Sequence, residues 1–134
     1  MSSKEEVMLM RRRAIVFLET SKYLAGRGHY DVAAFNAEQA AQLYLKSTLL
    51  ELVGDYPRTH SIIFLLRELE RIGFDDASRF IKENKSGLHA LEDSYLTSRY
   101  FFKVFDEEDA EYLISLVEKV VNLCENARNC LGKS

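Results

Sequence analysis

Apolar residues recur along most of this chain at alternating steps of three and four, the spacing of one face of an α-helix. In the first segment, residues 4–27, the stripe is Val7, Met10, Ala14, Phe17, Ser21 and Leu24. The second segment runs from an expected N-cap at Asp31 to about residue 53. Its stripe is rich in alanine: Ala33, Ala37, Ala40, Tyr44, Thr48 and Leu52, widened by Ala41, Leu45 and Leu49. Since short side chains let a neighbouring helix approach closely, we expect this to be the central helix.

Three further helices are predicted after a break at residues 54–59, which contains the only proline. The third begins after Thr59 or His60 and ends at Gly73, and the fourth spans residues 75–100. Gly87 interrupts the fourth segment at a cost of about 1 kcal/mol relative to alanine. Four acids at residues 106–109 begin the fifth helix, where they stabilise the helix dipole. The seam of that helix is the most regular in the chain: Ala110, Leu113, Val117, Val120, Cys124, Ala127 and Leu131.

These patterns predict an all-α fold, an up-and-down helical bundle of about five helices. No run with strand periodicity is of comparable quality. At 134 residues, 47% of them hydrophobic and 29% charged, the chain is expected to form a single helical domain over residues 1–134. The seam of the fifth helix belongs either inside this bundle or across a dimer.

The net charge of −3 excludes a nucleic-acid polycation, although a local basic patch stays open. No apolar run approaches the ~20 residues of a membrane helix. The first residues place acids and arginines where a signal peptide needs an apolar region, so we expect a cytoplasmic protein without membrane association. Cys124 and Cys130 lie six apart, roughly 240° around a helix, which predicts two reduced thiols.

Short motifs for catalysis or cofactor binding are absent from the sequence. There is no glycine-rich dinucleotide loop, and residues 132–134 imitate the end of a phosphate-binding loop without its upstream glycine. The histidines His29, His60 and His89 form no short-range ligand pair. We therefore predict no catalytic residue, no metal site and no cofactor.

Several polar residues of the first two helices are candidates for contacts. Residues 11–13 are three arginines predicted on the exposed arc, with a phosphate or an acidic partner as the alternative. Asn36 borders the apolar stripe, which favours a hydrogen bond between helices over a ligand contact. Gln39 and Lys46 lie seven apart on one face and either contact a ligand or face water.

Taken together, several stretches resemble the HEPN domain, a family of helical proteins, from about residue 25 to residue 123. The resemblance rests on AFNAEQAAQLYLK at residues 34–46, THS at 59–61, YLTSRY at 95–100 and the acid-rich residues 106–110. It implies a helical bundle that commonly forms homodimers. Many members are encoded beside, or fused to, a small nucleotidyltransferase, and others are ribonucleases of toxin and defence systems.

The ribonuclease members of this family carry an arginine followed after four to six residues by a histidine. A histidine can move the proton of an attacking 2′-hydroxyl, while an arginine stabilises the charge on phosphorus. No arginine of this chain has a histidine at that spacing; after Arg99 the corresponding residues are Val104, Phe105 and Asp106. The resemblance thus favours a non-catalytic, dimeric protein that serves as an accessory subunit of a nucleotidyltransferase and itself binds a nucleotide. The alternatives are an RNA-cleaving enzyme that pairs Arg99 with His60 or His89, and a plain oligomerisation module.

Arg99 lies between aromatic residues near the end of the fourth predicted helix. It follows Tyr95 by four residues and precedes Tyr100, so its guanidinium either stabilises an aromatic cluster or a dimer interface, or binds a carboxylate or phosphate. The candidate binding residues for a nucleotide or a partner are Arg99, Tyr95, Tyr100, His60, Asn36, Gln39 and Lys46.

Overall fold

The computed structural model describes residues 3–100 and 104–132, with the side chains of residues 96–100 excluded. The described residues form helices and no strands, which confirms the all-α prediction. The helices are α1 (Ser3–Gly26), α2 (Tyr30–Val53), α3 (Ile62–Arg71), α4 (Asp76–Glu83), α5 (Lys85–Tyr100) and α6 (Glu107–Leu131). They run up and down, and none of these described helices is both long and apolar enough to cross a bilayer.

Helix α2 is the centre of the bundle, as its alanine-rich face predicts. It packs most extensively against α1, then against α6 and α5. Its alanines at positions 33, 34, 37, 40 and 41 are at most 1% exposed, so the flanking helices come close to its backbone. The seam of α6 is buried within the same chain from Ala110 to Ala127, with only Leu131 left half-buried. That seam therefore belongs to the bundle and not to a dimer interface.

The fourth predicted helix is two helices, α4 and α5, so the described residues form one more helix than expected. The break lies at Asn84, whose backbone and side-chain amides both donate to the Phe80 carbonyl oxygen at 3.0 Å at the end of α4. Gly87 lies inside α5 and is buried. A Cβ atom at this position would lie 2.2 Å from the Tyr112 hydroxyl oxygen. The glycine thus allows a close contact between α5 and α6 and does not end a helix.

The N-cap of α2 lies two residues before the expected one. His29 occupies the N-cap position without a side-chain cap, while Asp31 lies in the first turn. The Asp31 carboxylate instead accepts a hydrogen bond from the Phe105 amide at 2.9 Å. Phe105 is 4% exposed, and the bond fixes the chain just before α6. At α6 itself, Asp106 and Asp109 form a reciprocal capping box, which confirms the acid-rich start.

Arg11 does not extend into solvent as predicted; it lies across α2. Its guanidinium lies 5.6 Å from the ring centre of Tyr44 and forms an ion pair with Glu51 at 2.5 Å. Arg128 of α6 is also 5.6 Å from the same ring centre and donates to the Tyr44 hydroxyl at 2.8 Å. Two guanidinium groups thus contact one buried phenol, and only Arg12 and Arg13 of the three arginines are exposed.

Both cysteines are free, as their spacing predicts. Cys124 is buried in the α6 seam and Cys130 is exposed near the end of the same helix. Burial raises the pKa of the Cys124 thiol to about 12. Among the described residues, no group of three or more His, Cys, Asp or Glu residues is arranged to hold a metal ion.

Candidate functional site

A group of interacting polar and aromatic side chains lies where α2, the α2–α3 connection and α5 meet. We call it the polar site. Its members are Phe35, Glu38, Gln39, Gln42, Lys46, Tyr56, Arg58, His60, Ser61, Glu92 and Tyr95. Helix α2 contributes residues at steps of four, 38, 42 and 46, which share one edge of the helix.

Glu92 of α5 holds the start of α3 in place. One carboxylate oxygen accepts from the Ser61 hydroxyl at 2.7 Å and from the Ile63 amide at 3.1 Å. Ser61 is itself the N-cap of α3 and accepts from the Phe64 amide. The backbone amides of Ile63 and Phe64 at the start of α3 therefore both have acceptors. His60, which precedes Ser61, is held against α5.

Glu38 is a carboxylic acid without solvent exposure in the middle of the alanine-rich helix. Its two oxygens accept from Gln39 at 2.8 Å and from Gln42 at 2.5 Å. Its pKa is raised to about 7, chiefly by burial with a smaller contribution from Glu92, while the two amides and Lys46 oppose the shift. Glu38 therefore exchanges a proton near neutral pH.

A chain of hydrogen bonds connects Glu38 to the surface. The Lys46 ammonium donates to the Gln42 side-chain oxygen at 3.4 Å, and the Gln42 amide donates to Glu38. Partial burial lowers the pKa of Lys46, with Arg58 contributing and Glu38 opposing. Proton exchange at Glu38 and charge on Lys46 are thus electrostatically linked.

Aromatic rings form the other wall of the polar site. The His60 ring stacks on the Tyr95 ring, with centres 4.8 Å apart and planes inclined by 24°. The Tyr95 ring also packs near the Phe35 ring of α2, with ring centres 5.9 Å apart. Further along, Lys46 and Arg58 lie 6.0 and 5.6 Å from the Tyr56 ring centre. The site therefore contains both stacked aromatic rings and two cations that contact a third ring.

Four of the sequence-predicted residues meet in this site: His60, Tyr95, Gln39 and Lys46. Among the described residues Asn36 forms no bond between helices; its amide donates to the Val32 carbonyl oxygen of its own helix at 2.8 Å. The backbone of α5 continues to Tyr100. The side chains of Arg99 and Tyr100 lie outside the described residues.

Sequence reasoning missed the carboxylates and the loop cations of the site. Glu38 and Gln42 lie on the same helical edge as Lys46, and a glutamate between Ala37 and Ala40 was the available signal for a buried acid. Glu92 gave no such signal, because its role depends on contact with Ser61, 31 residues earlier.

The described residues thus define an all-helical bundle protein with an aromatic and charged site between its helices. A family model for the HEPN domain matches residues 7–127, almost the whole chain. The chain belongs to the HEPN domain family. A search of curated proteins finds no match.

Proposed function

We propose that this protein is a non-catalytic HEPN-domain protein that binds a nucleotide at the polar site. In this proposal it acts as a homodimeric accessory subunit of a small nucleotidyltransferase, the partner that the family resemblance implies. Co-purification of such an enzyme with the protein from its native cells would support the partnership. Purification with no nucleotidyltransferase would count against it.

The observation that carries the nucleotide proposal is that the polar site contains both the His60–Tyr95 stack and the cations Lys46 and Arg58. His60 is exposed and has one ring face against Tyr95, so its other face is available to a base. Lys46 and Arg58 lie together around Tyr56, where their charges suit a phosphate. Because burial raises its pKa to about 7, Glu38 is only partly ionised at neutral pH and opposes this attraction less than an ordinary carboxylate would.

The sequence supports binding without cleavage. The arginine–histidine spacing of the family's ribonucleases does not occur in this chain. Stacking of a base and attraction of its phosphate by two cations require no proton transfer. The proposed role therefore does not depend on the arginine–histidine pair.

We expect His60→Ala and Tyr95→Ala each to weaken the binding of ATP or GTP by about 1–3 kcal/mol, the contribution of base–aromatic stacking. Tyr95 supports the His60 ring, so its removal disorders the stacking surface. Lys46→Met is expected to weaken ATP binding more than AMP binding, because it removes a charge that attracts the additional phosphates. Isothermal titration calorimetry of each variant measures both effects.

Matched controls are available elsewhere in the chain. His29→Ala, at the start of α2, controls for His60→Ala, and Lys119→Met, on the exposed side of α6, controls for Lys46→Met. Both controls should bind as the wild type does. Equal affinity in the wild type and Tyr95→Ala would contradict the proposal, as would a wild type that binds neither nucleotide at millimolar concentration.

The second candidate function is RNA cleavage by His60 with Arg99. The stacking of His60 on Tyr95 favours His60 over His89 for this role, because Arg99 follows Tyr95 by one helical turn on α5. Without the family spacing, we expect the purified protein to leave single-stranded RNA intact in the presence of EDTA. Cleavage that disappears in both His60→Ala and Arg99→Ala would replace the proposed function with this one.

A further inference from the structure

Helix α1 is an outer helix with one uncovered face. Its buried residues, Val7, Ala14, Leu18 and Ser21, face α2. Large apolar side chains lie roughly opposite: Met8 is 61% exposed, Ile15 38%, Val16 54% and Tyr23 63%. At 100° per residue these four fall within a stripe about 100° wide. Exposed apolar side chains that share one stripe are typical of a surface that binds another helix.

The stripe repeats every seven residues, the period of paired helices. Met8 and Ile15 are seven apart, and so are Val16 and Tyr23. Arg12 and Glu19, also seven apart, lie within the stripe. Within the described part of the chain neither of these two charged groups takes part in an ion pair.

The stripe is complementary to itself when its direction is reversed. A two-fold axis between positions 15 and 16 pairs each residue with a residue of the second copy, such that the two residue numbers add up to 31. Arg12 then faces Glu19 of the second copy, and Glu19 faces its Arg12. The apolar residues pair in the same way: Met8 with Tyr23 and Ile15 with Val16. An interface with two-fold symmetry requires this reciprocal arrangement.

We infer that α1 binds α1 of a second copy of this chain, antiparallel, about a two-fold axis between Ile15 and Val16. This inference names the surface of the proposed homodimer and is independent of any ligand at the polar site. A parallel pairing is disfavoured, because each position would meet itself and place Arg12 against Arg12 and Glu19 against Glu19. The α6 seam is buried within one chain and does not compete for this role.

Charge reversal distinguishes this interface from any other. Arg12→Glu places glutamate against glutamate, and Glu19→Arg places arginine against arginine, so each variant alone should weaken dimerisation at least tenfold. An equimolar mixture of the two variants should dimerise again, because every opposed pair then has opposite charges. The double variant Arg12→Glu/Glu19→Arg should recover for the same reason. Light scattering at micromolar concentration measures the mass against the 15.5 kDa chain.

Val32→Glu is the matched control, since Val32 is 50% exposed on a different helix and should leave the dimer intact. Dimers that persist in both single variants, or a mixture that stays monomeric, would overturn the assignment of α1. A monomeric wild type would overturn the inference together with the proposed homodimer. ATP and GTP affinities should be the same in all α1 variants, so failure here is separate from failure of the nucleotide proposal.

Discussion

Glu38→Gln is expected to become progressively more stable than the wild type as the pH rises from 5 to 8. In the unfolded chain Glu38 loses its proton near its ordinary pKa of 4.5, whereas burial holds its pKa near 7 in the folded protein. Between these values the unfolded state releases a proton that the folded state keeps, so the free energy of unfolding falls with pH. The loss reaches about 3 kcal/mol above pH 7 and is absent below pH 4.5. Glutamine cannot ionise and escapes this loss.

Urea denaturation of both proteins at pH 5, 6, 7 and 8 measures the difference. Glu125→Gln is a suitable control, because Glu125 lies exposed on α6 and its substitution should leave the pH dependence unchanged. A difference between Glu38→Gln and the wild type that stays constant across this range would show that Glu38 is ionised in the folded protein throughout.

Leu45→Ala is expected to lower the free energy of unfolding by about 2–5 kcal/mol. Leu45 lies at the centre of α2 with no exposed surface, so its truncation removes buried apolar area and leaves a cavity. Because α2 contacts α1, α5 and α6, the neighbouring helices cannot all move in to fill that space. Chemical denaturation gives the value directly.

Leu52→Ala provides the same chemical change on the same helix. Leu52 is only half-buried near the end of α2, so this control should cost clearly less than Leu45→Ala. Equal losses at the two positions would mean that the end of α2 is as tightly packed as its centre.

Helical periodicity was enough to predict most of the fold. The apolar positions of the α6 seam and of the alanine face of α2 recur over many helical turns. Each of them stabilises the folded state in the same way, by burying apolar surface. The division of α4 from α5 was missed because it depends on one side chain, Asn84. The role of Gly87 was misread because it depends on the Tyr112 side chain, which lies beside it on α6. Neither contact has a local signature in the sequence.

The polar site was only partly predictable for a similar reason. His60 and Tyr95 were identified singly, but their stacking joins residues 35 positions apart. Arg11 was predicted to be solvated because its neighbours on α1 suggested an exposed arc. Its actual partners, Tyr44 and Glu51, lie on another helix. Local pattern therefore predicts which face of a helix is buried better than it predicts which polar groups meet.

The contrast between the two cysteines makes the protein suitable for labelling at one position. Cys124 is fully buried, and its high pKa keeps the sulfur protonated and therefore unreactive, whereas Cys130 is exposed at the end of α6. A maleimide dye will therefore modify the folded wild-type chain at Cys130. Fluorescence from that dye can follow assembly or ligand binding without the removal of any native cysteine.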